Sequence, residues 1–240
     1  MNRTHAKNKK VFEGLPAVPK VSTAPAKPRK VNDQSVGEEI GNAVTHGVGA
    51  LLAIAGMVLM IIRAATKGTA IDIVSSAIYG STLFILFFNS MMYHSITNYN
   101  AKKILRIFDH CSIFLLILGS YTPLTLSLIG GVRGWMLFGL NAACAVTGIT
   151  LNAIDLKKWK MASLWLYVIM GWSVALFGKT VYALVDGRGL FLLIMGGILY
   201  TTGIVFYVVH KKGFHVIWHF FVLAGAIVHF FFFYSYCIAV

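Results

Sequence analysis

From Val44 onward the chain is written as long apolar blocks separated by short polar stretches, and the apolar positions do not alternate with polar ones. Leu51 to Ile62 and Phe230 to Phe233 are apolar on every side. A strand crossing a bilayer would show ~10-residue segments alternating in polarity, so the pattern excludes a transmembrane β-barrel. Seven blocks fall near the ~20 residues a helix needs to cross a hydrocarbon core of ~30 Å. They run over residues 44–62, 72–94, 110–129, 134–152, 161–181, 190–210 and 215–238. Only a helix satisfies its own backbone there, and the expected fold is an all-α bundle of seven transmembrane helices.

Composition agrees. Of 240 residues, 58% are hydrophobic and 12% charged, against roughly 25% charged in soluble proteins, and the mean hydropathy is +0.75. Residues 1–37 differ from the rest: they hold four of the five prolines, and eight Lys or Arg with the single acid Glu13 before position 31. This stretch reads as a flexible basic tail preceding a helical domain over 38–240, able to attract anionic lipid headgroups. It contains no apolar core of the length a signal peptide needs. Cys111, Cys144 and Cys237 are scattered in apolar runs and make neither a disulfide framework nor a CxxC module.

The excess of positive charge is a topology signal. Sixteen basic residues fall in the tail and in the connections after the second, fourth and sixth blocks, among them Lys102, Lys103, Arg106, Lys157, Lys158, Lys160, Lys211 and Lys212. The other side holds five: Arg63, Lys67, Arg133, Lys179 and Arg188. Basic residues are retained in the cytoplasm, which places the amino end inside and the carboxyl end outside. The same count leaves little charge for nucleic acid, and no nucleic-acid partner is expected.

Ionisable side chains within a membrane are costly, so their positions mark candidate sites. Glu39, Asn42 and His46 open the first block, Ser90 and His94 close the second, Asp109 and His110 open the third, and His215 and His219 open the seventh. In the expected topology all lie at the inner-leaflet level. His215 and His219 are four residues apart and stack on one helix face, where they serve either as a packing pair or as two metal ligands. His94 supplies a third imidazole, giving the three-ligand set with an open position found in catalytic zinc sites. The segment between the two histidines lacks the glutamate of zinc proteases, so a general base must come from another helix. Three neutral imidazoles also leave a divalent ion uncompensated, and Asp109 is the nearest candidate anion and base, with Glu39 in reserve. Ser90, one turn before His94, either orients an imidazole, water or carbonyl or bonds back to its own helix. His110 points ~100° from Asp109 and reads either as a residue supporting the site from behind or as structural. His229 lies too far along its helix to share the metal; it lines a cavity or bonds a neighbouring helix. His210 reads as interfacial and His5 as part of the tail.

These residues, in this order, resemble the hemolysin III family, the bacterial branch related to the adiponectin and progestin receptor (PAQR) family. The likeness is carried by Glu39, Asn42, Thr45 and His46, by Ser90, Tyr93 and His94, by Phe108, Asp109 and His110, and by Gly119-Ser120-Tyr121-Thr122-Pro123. It continues through Met170-Gly171-Trp172 to His215, Trp218, His219, Gly225 and His229. One departure is Ser120, where the family usually has threonine. The resemblance implies a seven-helix protein of the bacterial plasma membrane with zinc on His94, His215 and His219, and Asp109 and Ser90 nearby. It also implies kinship with alkaline ceramidases, zinc-dependent lipid amide hydrolases.

The leading expectation is therefore a membrane-embedded zinc hydrolase of acyl-amide or acyl-ester lipids, with Asp109 as the proton-transferring residue and Ser90 as a hydrogen-bond donor. Two alternatives stand beside it: a receptor-like or sensor protein in which zinc only staples helices, and a cytolytic, pore-forming protein. The last has little support from the residues, because no detachable amphipathic segment is present.

Overall fold

A computed structural model describes residues 34–209 and 211–239. The expectations for the tail before residue 34, including His5, and for His210 lie outside the described residues. Within them the protein is a bundle of seven membrane-spanning helical segments. They comprise α1 (Val36–Lys67), α2 (Ala70–Ser95), α3 (Tyr99–Thr122), α4 (Gly131–Asp155), α5 (Lys160–Trp172), α6 (Gly178–Leu184), α7 (Gly187–Val208) and α8 (Phe214–Tyr236). A π turn (Pro123–Ile129) extends α3, and a 3₁₀ turn (Ser173–Phe177) joins α5 to α6 within one span.

Two helices begin well before their apolar blocks. The pattern places the first span at residue 44, yet α1 starts at Val36, where Ser35 and Glu38 form a reciprocal capping box. That cap satisfies the first free N–H groups and holds two polar turns in helical form. The polar residues of those turns face inward: Asn42 and His46 are buried. α3 likewise starts at Tyr99 rather than 110, capped by the Asn98 side chain on two backbone N–H groups. Thr69 and Asp72 make a second capping box at α2, and Gly68 and Thr69 alone separate it from α1.

The π turn has a local cause. Pro123 brings no N–H, which would leave the carbonyl of Gly119 unpaired in an α-helix. The Thr122 hydroxyl takes that carbonyl at 2.6 Å, and Thr125 does the same for Tyr121 O. The fifth span breaks at Ser173, whose hydroxyl receives Asn141 Nδ2 at 2.8 Å and lies 2.9 Å from the Tyr121 hydroxyl. Tyr121 accepts the Val174 N–H and donates to Gly171 O, so the change of helix type leaves these polar groups paired.

The main core lies between α1, α2, α3 and α8, around Met60, Tyr79, Phe87, Leu116, Val222, Phe232 and Phe233. The outward faces carry Leu51, Ile62, Trp135, Val146, Trp165 and Phe191, all exposed and apolar, as lipid contact requires. The far end of the bundle is fastened by polar contacts. Arg63 donates to Ile238 O at 2.9 Å and sits over the Tyr234 ring. Asp186, capping α7 between two spans, accepts from Tyr236 Oη at 2.7 Å and from the Gly189 N–H at 2.8 Å. Those donors, Tyr236 first, hold the Asp186 carboxyl below the usual carboxylate range.

Candidate metal centre

At the end of the bundle where α1 begins, α2, α8 and α1 bring imidazoles together. His94 closes α2, and His215 and His219 occupy the first two turns of α8. One ligand atom from each lies within 4.8 Å of the others, a group able to hold a metal ion. Ring centroids are 4.9 Å apart for His94 and His219, 4.9 Å for His215 and His219, and 5.3 Å for His94 and His215.

The polar atoms left over in this cluster test whether a metal fits. His94 Nε2, His215 Nε2 and both ring nitrogens of His219 are buried and have no hydrogen-bond partner. An unpaired buried polar atom costs about 1–3 kcal/mol, and three imidazoles that leave nitrogens bare toward one another are organised for a ligand. A tetrahedral ion with bonds of ~2.0–2.1 Å sets its ligand nitrogens roughly 3.4 Å apart. The ligand atoms, all within 4.8 Å of one another, lie in the neighbourhood of that spacing.

Neighbouring contacts fix the ring orientations. His94 Nδ1 is 2.7 Å from Glu39 Oε2, with the His94 side chain fully enclosed. Since a carboxylate only accepts, Nδ1 carries the proton and Nε2 is left bare toward the cluster. Asn42 Nδ2 at 3.4 Å is therefore a neighbour of Nδ1 and not its donor. Glu39 also pairs with Lys102 at 2.8 Å. On α8, Gly213 precedes the helix at φ +81°, a left-handed conformation that favours glycine. Its N–H donates to Glu38 Oε1, tying the start of α8 to the start of α1. Trp218 packs against His215 and His219 at 5.0 and 5.3 Å.

The sequence places His46 among the polar residues at this depth without assigning it a specific role, and the structure gives it one. Its ring stacks on His219 at 3.7 Å and 21°, with its edge against Phe87 at 5.0 Å. It is 2% exposed, and both nitrogens lack partners. The signal was in the spacing: His46 follows Glu39 by seven residues and Asn42 by four, which puts all three on one helix face.

Ser90 is 1% exposed, and its Oγ has no hydrogen-bond partner, so the bond back to its own helix is not made. Asp109 is buried and faces a cavity whose wall it shares with His46, Tyr207 and Trp218. Its carboxylate is 3.6 Å from His110 Nδ1. The carboxylate in contact with the imidazole cluster is that of Glu39, the reserve candidate of the sequence reading. His110 is structural: Nδ1 donates to Arg106 O at 2.9 Å, and Nε2 meets the Tyr207 hydroxyl at 3.3 Å. His229 does both things expected of it, donating to Leu193 O at 3.1 Å and lining the cavity.

That cavity, about 140 Å³, begins beside His46 and Trp218 and runs between α3, α5, α7 and α8, with His94, His215 and His219 behind its wall rather than in it. Its wall is apolar apart from a few groups: Asp109 and Tyr207 at the imidazole end, Ser120, Tyr121, Tyr200 and His229 deeper in.

Comparison with known proteins places this arrangement. The chain is 42% identical over 207 residues to the "Hemolysin-3 homolog" of Bacillus subtilis (strain 168), covering 86% of this chain and 97% of that protein. It is 41% identical over 199 residues to "Hemolysin-3" of Bacillus cereus, covering 82% and 91%. Human "Monocyte to macrophage differentiation factor" is 29% identical over 209 residues, covering 81% and 82%. No solved structure matches. The family described as Haemolysin-III related matches residues 34–230, a stretch holding every residue of the imidazole cluster and the cavity wall, and the chain belongs to that family.

Proposed function

We propose that the protein is a zinc-dependent hydrolase of acyl-amide or acyl-ester lipids, embedded in the bacterial plasma membrane and acting at its inner leaflet. The observation that carries this reading is the convergence of bare, buried imidazole nitrogens beside an apolar cavity, whose wall includes His46, the ring stacked on His219. Neutral imidazoles with a carboxylate behind one of them are a donor set suited to zinc. His94, His215 and His219 would hold the ion, and Glu39 orients His94. When bound, zinc supplies Lewis acidity toward a carbonyl oxygen and makes water acidic enough to attack at neutral pH.

The chain's own residues do the rest. The cavity takes the acyl chain and keeps bulk water away, holding the scissile carbonyl beside the imidazoles. Asp109 accepts a proton from the attacking water and returns it to the amide nitrogen or alcohol oxygen that leaves, a role worth roughly 10²–10⁴ in rate. Ser90, its hydroxyl uncommitted, donates to the carbonyl oxygen as negative charge builds there, worth about 10²–10³. Eight basic residues at the imidazole end, from Lys102 to Lys212, support a topology with that end and the amino terminus in the cytoplasm and the carboxyl terminus outside. Membrane lipids are then both solvent and substrate source, and the basic tail is drawn to anionic headgroups.

The test is release of free fatty acid from ceramide-like and phospholipid substrates by detergent-purified, zinc-loaded protein beside a His215→Ala variant. Time-dependent release that disappears with the metal in the variant is the expected result. Full zinc occupancy with no turnover on either class would refute the hydrolase and leave the receptor-like alternative, with zinc fastening α2 to α8.

A further inference from the structure

In the deep part of the cavity the wall carries two rings seated on glycines of opposite helices. His229 of α8 lies against Gly196 of α7, where a Cβ would come within 2.0 Å of the imidazole. Tyr200 of α7 lies against Gly225 of α8, where a Cβ would stand 3.1 Å from the phenol ring. The rings are 5.5 Å apart, and the bond from His229 to Leu193 O holds the imidazole in place. This reciprocal seating leaves neither ring room to draw back into the opposite helix, and we take the pair as the floor. The wall between α5 and α7 is fastened as well, by Trp172 Nε1 donating to Thr201 Oγ1 at 3.0 Å.

Helical rise gives the depth above that floor. From His219 to His229 along α8 is ~15 Å, and from Asp109 to Tyr121 along α3 is ~18 Å, at ~1.5 Å per residue. A zigzag of ~1.5 Å carbon–carbon bonds advances ~1.3 Å per carbon, so this length accepts roughly 12 to 14 carbons.

Resting on the acyl-lipid reading above, we infer that the cavity is a ruler for medium-length acyl chains, roughly twelve to fourteen carbons, with Tyr200 and His229 as the specificity-determining stop. Shorter chains leave apolar wall unfilled, and longer ones meet the two rings.

The experiment measures binding of saturated fatty acids from eight to eighteen carbons to detergent-purified, zinc-loaded protein, as thermal stabilisation and by competition. Affinity should rise roughly fourfold per methylene, the gain expected for burying each one, up to about twelve to fourteen carbons. It should then fall at least tenfold by eighteen. Tyr200→Ala deepens the floor and should move the optimum two to four carbons longer. Ser120→Leu fills the deep wall and should move it shorter, with zinc content unchanged in both. Should either variant fail to fold, the wild-type series decides alone. Binding that is flat with length, or tightest at eighteen carbons, overturns the ruler while leaving the acyl-lipid reading standing. No binding at any length together with no turnover overturns both.

Discussion

Glu39→Gln is the sharpest perturbation of the proposed zinc site, because it changes a charge and almost no volume. In the native chain Glu39 Oε2 lies 2.7 Å from the protonated Nδ1 of a fully enclosed His94. A carboxylate behind a ligating imidazole raises its basicity and fixes its tautomer, and losing such a partner typically costs 10- to 100-fold in metal affinity. Glutamine keeps an oxygen that accepts from Nδ1–H, so orientation survives and only the charge is lost. The expected loss is at the lower bound, about tenfold or ~1.4 kcal/mol. Glu39→Ala removes acceptor and charge together and should lie near 100-fold, ~2.7 kcal/mol. Competition titration of zinc against a chromogenic chelator in detergent reads both. If both variants bind zinc within twofold of wild type, Glu39 is only a partner for Lys102, and the tautomer argument for the site is wrong.

Other outcomes follow from particular contacts. Gly213→Ala meets no atom but forces an L side chain to φ +81°; it should cost about 1–2 kcal/mol, read as a lowered thermal midpoint. Deleting residues 1–33 should leave zinc content unchanged, since no proposed ligand lies there and Ser35 still caps α1; a folded but metal-free truncation would contradict this. A reporter fused after Val240 should be active only when translocated, and cytoplasmic activity would invert the topology.

Much of the architecture was readable in the sequence because a bilayer leaves so few options. Apolar length fixes the spans, and the inward residues are forced to be the rare polar ones, so His94, His215 and His219 stood out at one depth. Helix ends were less legible: the first turns of α1 and α3 are polar, and hydropathy misses a helix held by Ser35, Glu38 and Asn98. The ranking of the two acids was also beyond spacing alone. Asp109 is nearer the imidazoles in the pattern of blocks, yet Glu39, three residues before Asn42 on a helix start ahead of the first apolar block, contacts His94. His46 shares a helix face with Glu39 and Asn42, which spacing shows, but its stacking on His219 depends on how α1 packs against α8, which spacing does not.

Glu39 raises a question of charge that Lys102 sharpens. A divalent ion on three neutral imidazoles keeps its full charge, and in a bundle surrounded by lipid that charge needs an anion. Glu39 alone would supply one unit, but Lys102 lies 2.8 Å from its second oxygen with a side chain only 10% exposed, so the pair is close to neutral. The remaining charge must then be met by Asp109 or by an anionic ligand in the cavity. Lys102→Met keeps the length and packing of the stem over Tyr93 while removing its charge, and should tighten zinc by about three- to tenfold, ~1 kcal/mol, as the full charge of Glu39 becomes available to the ion. If zinc instead binds more weakly, Lys102 acts by holding Glu39 against His94, and position rather than charge is what the pair contributes. The same chelator titration separates the two by its sign.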